Sequence, residues 1–121
     1  MKYLRIYADP SGESHFADVA GEVTRYDNGV ELSPLIPSEH VGFRSFPRGF
    51  ATGGLPNPAD RRLFVFILAG AVEVTVSDGT VRRVGAGGVV LVEDTWEQGH
   101  AVREVGDVGS MQAFVLLPDG K

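Results

Sequence analysis

The sequence predicts an all-β domain, built as a sandwich or a barrel. Three observations carry this. Apolar residues fall in short runs broken by Gly, Pro, Asp and Asn, with 16 glycines and 7 prolines in 121 residues. No stretch shows the spacing of an amphipathic helix. Two β-rich runs flank Asp78-Gly79, a pair suited to the φ > 0 positions of a tight hairpin turn.

The elements follow in chain order. Residues 3–7 read as an edge strand with Tyr3, Arg5 and Tyr7 on one face. Residues 27–39 hold Pro34 and Pro37 and read as a segment wrapped over the surface. Residues 41–46 alternate loosely and read as a strand; residues 49–54 form a loop. Residues 63–68 (LFVFIL) are continuously apolar, as expected of a strand buried on both faces. Ala69-Gly70 ends it. Residues 72–77 alternate with the valines on one face. After Asp78-Gly79, residues 80–84 return. Two-residue closure places Val76 opposite Val81, Thr75 opposite Arg82 and Val74 opposite Arg83, with a bulge or twist correcting the last pair. Residues 85–88 turn, 89–92 form a short buried strand, and 93–99 form a polar loop. Residues 100–105 resume extended structure, Gly106-Asp107 turns, and 113–117 form the last strand before Pro118-Asp119-Gly120.

Length and composition narrow the class. A chain of 121 residues fits one domain, 1–121. Within it, 1–40 supplies the N-terminal edge strand and the wrapping segment, and 41–117 the core barrel. Hydrophobic residues make up 43%, enough for a core. With no cysteine there is no disulfide, thiolate metal site or cysteine nucleophile. The longest apolar run, 63–72, is too short to span a bilayer. Residues 1–7 lack the long apolar core of a secretory signal, so a cytoplasmic address is expected. A net charge of −5 without a long basic run argues against a nucleic-acid surface.

The order of strand, Gly70, alternating strand, Asp78-Gly79, strand, Gly87-Gly88, strand, loop and His100 resembles the cupin superfamily. Two stretches resemble small single-domain cupins more closely: Leu55-Pro56-Asn57-Pro58-Ala59-Asp60-Arg61-Arg62-Leu63 and Val92-Glu93-Asp94-Thr95-Trp96-Glu97-Gln98-Gly99-His100. The opening from Arg5 to Phe16 matches the same group, so the resemblance spans nearly the whole chain. It implies a jelly-roll barrel, or double-stranded β-helix, whose histidines and a carboxylate or amide meet on one divalent metal. It also implies a homodimer, with the edge strand at 3–7 adding to a partner's sheet.

Carried over by position, the metal set is degraded. The first histidine position holds Asn57, the second Ala59 and the carboxylate position Leu63; only His100 remains. One imidazole and one amide are a poor coordination shell. The expectation is therefore no tightly bound metal. If a divalent ion (Zn, Fe, Ni or Mn) is held, His100 with Asn57 would hold it. His15 reads as an exposed loop residue and His40 as a surface or turn residue. Of Glu93, Asp94 and Glu97, alternation lets only some face the barrel.

His100 is the leading functional residue, either a general base or a core histidine bonded to Asn57 or a backbone carbonyl. Asn57 reads as a pocket hydrogen-bond donor or as a turn residue before Pro58. Arg61 and Arg62 face opposite ways on an extended chain. One is a candidate anion clamp, and either can pair with an acidic neighbour. Trp96 reads as a lid or pocket wall, or as a dimer contact. Phe66, with Phe64, Leu91 and Phe114, reads as pocket lining or plain core. The expected function is binding of a small organic ligand by Asn57, Arg61, Phe66, Trp96 and His100. The alternative is an enzyme of this fold: a metal-dependent oxygenase or isomerase, or a metal-free acid/base cyclase or dehydratase using His100.

Overall fold

The computed structural model describes residues 1–52 and 59–118. Its strands are β1 (Lys2–Ala8), β2 (Ser14–Ala20), β3 (Thr24–Arg25), β4 (Glu31–Leu32), β5 (His40–Phe46), β6 (Leu63–Ala69), β7 (Ala71–Val76), β8 (Val81–Gly85), β9 (Val89–Val92), β10 (His100–Glu104) and β11 (Ser110–Leu116). A six-stranded sheet runs β2-β1-β9-β6-β11-β5 and faces a three-stranded sheet, β10-β7-β8; β3 and β4 form a small ribbon. The fold is an all-β jelly roll. No helix among the described residues is long and apolar enough to cross a membrane.

The core lies between the two sheets. Leu4, Ile6, Val65, Ile67, Val90 and Val92 come from the larger sheet. Val72, Val74, Val76 and Val84 meet them from the smaller one. The strict alternation of β7 explains its side: its valines are almost fully buried while Glu73 and Thr75 are only half-buried. β6 sits centrally, between β9 and β11, which accounts for its unbroken apolar run. Leu63, Val65 and Ile67 face the barrel. Phe64 packs on the outer face with Leu91 and Leu117.

Hydrogen bonds close the barrel on both flanks. After β5 the chain crosses to the smaller sheet, where Ala51 bridges Arg103 and Thr52 N–H donates to the Val102 carbonyl at 3.0 Å. On the other flank, fully buried Ser14 exchanges hydrogen bonds with Ser77 and donates its hydroxyl to the Gly99 carbonyl at 2.5 Å.

Three expectations are corrected. β1 is not an edge: it lies between antiparallel β2 and parallel β9, and the sheet edges are β2 and β5. Nor do residues 1–40 merely wrap a barrel made by 41–117. Ile6 is 1% exposed and Leu4 7%, both inside the common core. β2 escaped the sequence reading because Ser14-His15-Phe16-Ala17-Asp18 carries mixed polarity on both faces. The hairpin also closes one residue wider than two-residue closure allows. Thr75 faces Val81, Val74 faces Arg82 and Val72 faces Val84. The reason is a longer loop, in which Val76 N–H donates to Thr80 O and Gly79 N–H to Val76 O. Arg82 then shares the face of Val74 and Val84 and pairs with Asp18 of β2 at 2.8 Å.

Two turn glycines separate backbone strain from crowding. Gly79 (φ +94°) has open space where a Cβ would stand. Gly70 (φ +77°) would drive a Cβ into the Gly109 carbonyl and to 2.9 Å from Ser110 Cα. Gly79→Ala is expected to cost about 1–2 kcal/mol from the left-handed backbone alone. Gly70→Ala should cost clearly more. Urea unfolding midpoints of the two variants test the order; equal losses would contradict the packing at Gly70.

Candidate functional site

The barrel is hollow at one end. A cavity of about 430 Å³ opens where β6 begins and where β9 and β11 finish. Its lining includes Arg44, Leu63, Val65, His100, Val102 and Phe114. A constriction of about 30 Å³, reached by Val74 and Gln112, is lined by His100 and Arg44 as well. Mostly apolar walls with a few polar groups are the common make-up of a small-molecule site.

His100 opens β10 directly after the 93–99 loop and faces the interior as expected. Its partner is neither Asn57 nor a backbone carbonyl. Nδ1 donates to Asp94 Oδ2 at 2.6 Å. Asp94 is 0% exposed, and its backbone carbonyl accepts from Ala59 N–H at 3.0 Å. Asp94 Oδ1 has no partner among the described residues. A carboxylate on Nδ1 fixes the ring's orientation and tautomer. That leaves Nε2 as the nitrogen available to a cavity occupant.

Sequence reading missed Arg44 and Gln112. They face each other across β5 and β11, and Arg44 Nε donates to Gln112 Oε1 at 2.8 Å. The guanidinium carbon lies 5.1 Å from the centroid of Phe46 and 5.7 Å from that of Phe114. Desolvation by the surrounding protein lowers the Arg44 pKa from its ordinary value. The available signal was the alternation Gly42, Arg44, Phe46, which puts an arginine on the face shared with two inward residues.

The other expected site residues divide. Arg61 does line the cavity, but its Nη2 is held at the rim by Glu39 at 3.0 Å and the Leu117 carbonyl at 2.6 Å. Arg62 points the other way, to Glu93 at 2.7 Å, and Arg5 reaches the second Glu93 oxygen at 2.6 Å. Burial works to raise the Glu93 pKa, and the two arginines outweigh it and hold it below the usual range. Phe66 does not line the barrel. Alternation along β6 turns it outward to stack on Phe64, and both border an outer apolar cavity of about 320 Å³. Leu91 is outward too; of the four hydrophobes considered, Phe114 alone lines the barrel cavity. Trp96 is 44% exposed and stands beside Gly12 instead of over the cavity. Asn57 lies outside the described residues. His40 is exposed at the start of β5. A wider cleft of about 670 Å³ on the flank of β1, β2 and β8 is bordered by Arg82 and Asp18, which already pair.

His15 is not an exposed loop residue. It sits on β2 with Nε2 on Asp9 and Nδ1 on Asp78, both at 2.7 Å. Asp9, Glu13 and His15 are grouped closely enough to resemble a metal set, yet both ring nitrogens of His15 are committed to carboxylates. That is an imidazolium cross-link between two loops. At the barrel cavity the described residues do not fit the metal that the cupin resemblance implies. His100 is the single imidazole there, and Leu63 and Ala59 present no donor atom.

Hydrogen bonds from Asp9 and then Asp78 raise the His15 pKa above 6.5. Its contribution to stability is therefore complete below pH 6.5 and is lost as pH rises through the folded value. Asp9 is held well below the usual carboxylate range, first by Ser11 and then by His15, so its contribution fades below pH 3.8. The Tm difference between the wild type and His15→Gln should be largest between pH 3.8 and 6.5 and shrink above that window. A difference that does not vary from pH 5 to 9 would exclude the imidazolium cross-link.

No family model matches this chain, and no curated protein does. Among solved structures, it is similar to a Salmonella typhimurium LT2 protein named for ethanolamine utilization (protein Q). Identity is 15%, the alignment covers 99% of this chain and 98% of that one, and the TM-score is 0.46.

Proposed function

We propose that this chain is a cytoplasmic, cupin-type barrel that binds a small organic molecule without a tightly held metal. The observation that carries this reading is the 430 Å³ cavity, open at one end, with His100 in its wall. Its volume falls in the usual range for ligand sites, roughly 300–1,000 Å³. The rest of the barrel is closed by interdigitated valines, so the mouth end is where a ligand can enter.

A second reading, metal-free acid/base catalysis, is favoured by the pairing of His100 with buried Asp94. With Nδ1–H held by the carboxylate, Nε2 can take a proton from a ligand's C–H or O–H group. The resulting imidazolium is stabilised by the Asp94 charge beneath it. Return of that proton to another ligand atom would complete an isomerisation, cyclisation or dehydration. This role suits the chain's own residues and requires no further group.

Ligand-observed NMR with a library of small aromatic and aliphatic compounds tests the first reading. Binders are expected, and they should shift the His100 ring resonances while leaving those of His40 in place. A library with no binder would overturn it. If a bound compound is also converted, His100→Gln should abolish turnover while binding persists; unchanged turnover would exclude His100 as the base.

We also propose a homodimer, formed by β5 instead of β1. β5 is a sheet edge among the described residues, and Val41 and Phe43 on it are 63% and 72% exposed. An antiparallel edge can pair with its own copy about a twofold axis, burying the same residues on both sides. Light scattering should give a dimer at micromolar concentration and a monomer for Phe43→Lys. A wild-type monomer would refute the interface.

A further inference from the structure

We infer that the molecule taken by the barrel is an organic carboxylate with an apolar body, and that Arg44 and Gln112 hold its carboxylate. This rests on the proposal that the cavity binds a small molecule, and adds the chemical class.

The first observation is where the chain's arginines end. Arg5, Arg25, Arg61, Arg62, Arg82 and Arg103 each meet a carboxylate of the protein. Arg44, Arg48 and Arg83 meet none among the described residues, and of these three only Arg44 lines the cavity. Arg44 is exposed along β5, so its charge is not buried; it offers an uncommitted guanidinium to an anion that enters the cavity.

The second observation is independent and concerns Gln112, which is 1% exposed. Arg44 Nε donates to its Oε1, and this fixes which amide atom is which. Nε2 therefore points elsewhere, and it has no partner among the described residues. Buried donors are nearly always satisfied. The same hydrogen bond occupies Arg44 Nε and leaves the terminal guanidinium nitrogens for another acceptor. Arg44 and Gln112 both reach the inner constriction, so the free donors of the pair serve the same space.

The third observation sets the size and polarity of the ligand. Arg61, the second arginine in the wall, is committed to Glu39 and the Leu117 carbonyl, and exposed Asp60 adds a negative charge to the same lining. That leaves one uncommitted guanidinium and one amide, which match a monoanion better than a phosphate dianion. Val65, Val92, Leu63 and Phe114 form apolar walls around the same space. The rings of Phe46 and Phe114 lie beside the guanidinium and help to fix its orientation for pairing with a planar carboxylate. His100 lines both parts of the cavity and would stand against the body of the bound acid.

The test is calorimetry on the full chain with matched sets. Each set contains an aromatic or aliphatic monocarboxylate, its primary amide and its methyl ester. Acids should bind at least about tenfold more tightly than their amides and esters. Arg44→Met should remove that preference, so that acid, amide and ester of a set bind alike. Gln112→Glu places an internal carboxylate on Arg44 and should abolish acid binding, with a cooperative thermal transition showing that the barrel is intact. Arg44→Lys keeps a charge but loses the fork, so it should retain only part of the preference, and it serves if Arg44→Met does not fold. Amides that bind as well as acids, or acids that bind the Arg44 and Gln112 variants as they bind wild type, would overturn this inference and leave small-molecule binding intact. Absence of binding by every member of the sets would overturn both.

Discussion

Strand alternation across the central β6–β11 pair governs the rest of this molecule. Each residue on β6 must face either the barrel or the outer surface, with no third option. Leu63, Val65 and Ile67 face inward and build the core and the cavity wall, while Phe64 and Phe66 face outward and build an aromatic surface. The pairing of β11 with β5 extends the same rule one strand further, so that inward Gln112 brings Arg44 beside it. A one-residue slip of β5 there would put Phe43 or Ser45 opposite Gln112 and turn Arg44 to the outer face.

Polar chemistry is concentrated at one end because the other end is filled. Valines from both sheets meet in the lower barrel and leave only a constriction of about 30 Å³. Towards the mouth, loops replace strands and can carry groups that a packed core would exclude. Asp94 reaches the interior from such a loop, and it is tolerated there because His100 answers one of its oxygens. The Arg5–Glu93–Arg62 cluster and the Asp9–His15–Asp78 cross-link also belong to loop and strand ends, where they tie neighbouring segments together. They share ion-pair chemistry with the cavity groups but are already satisfied, and this separates structural from functional charge.

Much of the fold was legible in local pattern. Residues 63–68 and 72–77 stand where β6 and β7 lie, and 89–92 coincides with β9. These runs combine β-branched residues with clear turn signals, so short-range physics settles them. The N-terminal half was less legible. β2 mixes polar and apolar residues on both faces; on one, buried Ser14 bonds Ser77 and the Gly99 carbonyl while Phe16 packs on the core. Of the candidate site, His100 was readable from its place after a loop and Gly99, and Arg61 from its position before β6. Phe66 and Trp96 were misplaced: an aromatic residue in a β-rich sequence suits the outer face of a barrel as well as the inner one.

The sequence by itself determined an all-β domain, its main strands and turns, and the poverty of metal ligands around His100, since these depend on residue type and near-neighbour spacing. Tertiary structure alone decided which strands became edges, how wide the hairpin loop closed, and which distant residues met. Asp94 and His100 are close in sequence, yet their contact depends on how the loop folds back. Arg44 and Gln112 are 68 residues apart and meet only because β5 and β11 pair in one register. Pairing between remote strands is set by the packing of the whole barrel, and no local pattern encodes it.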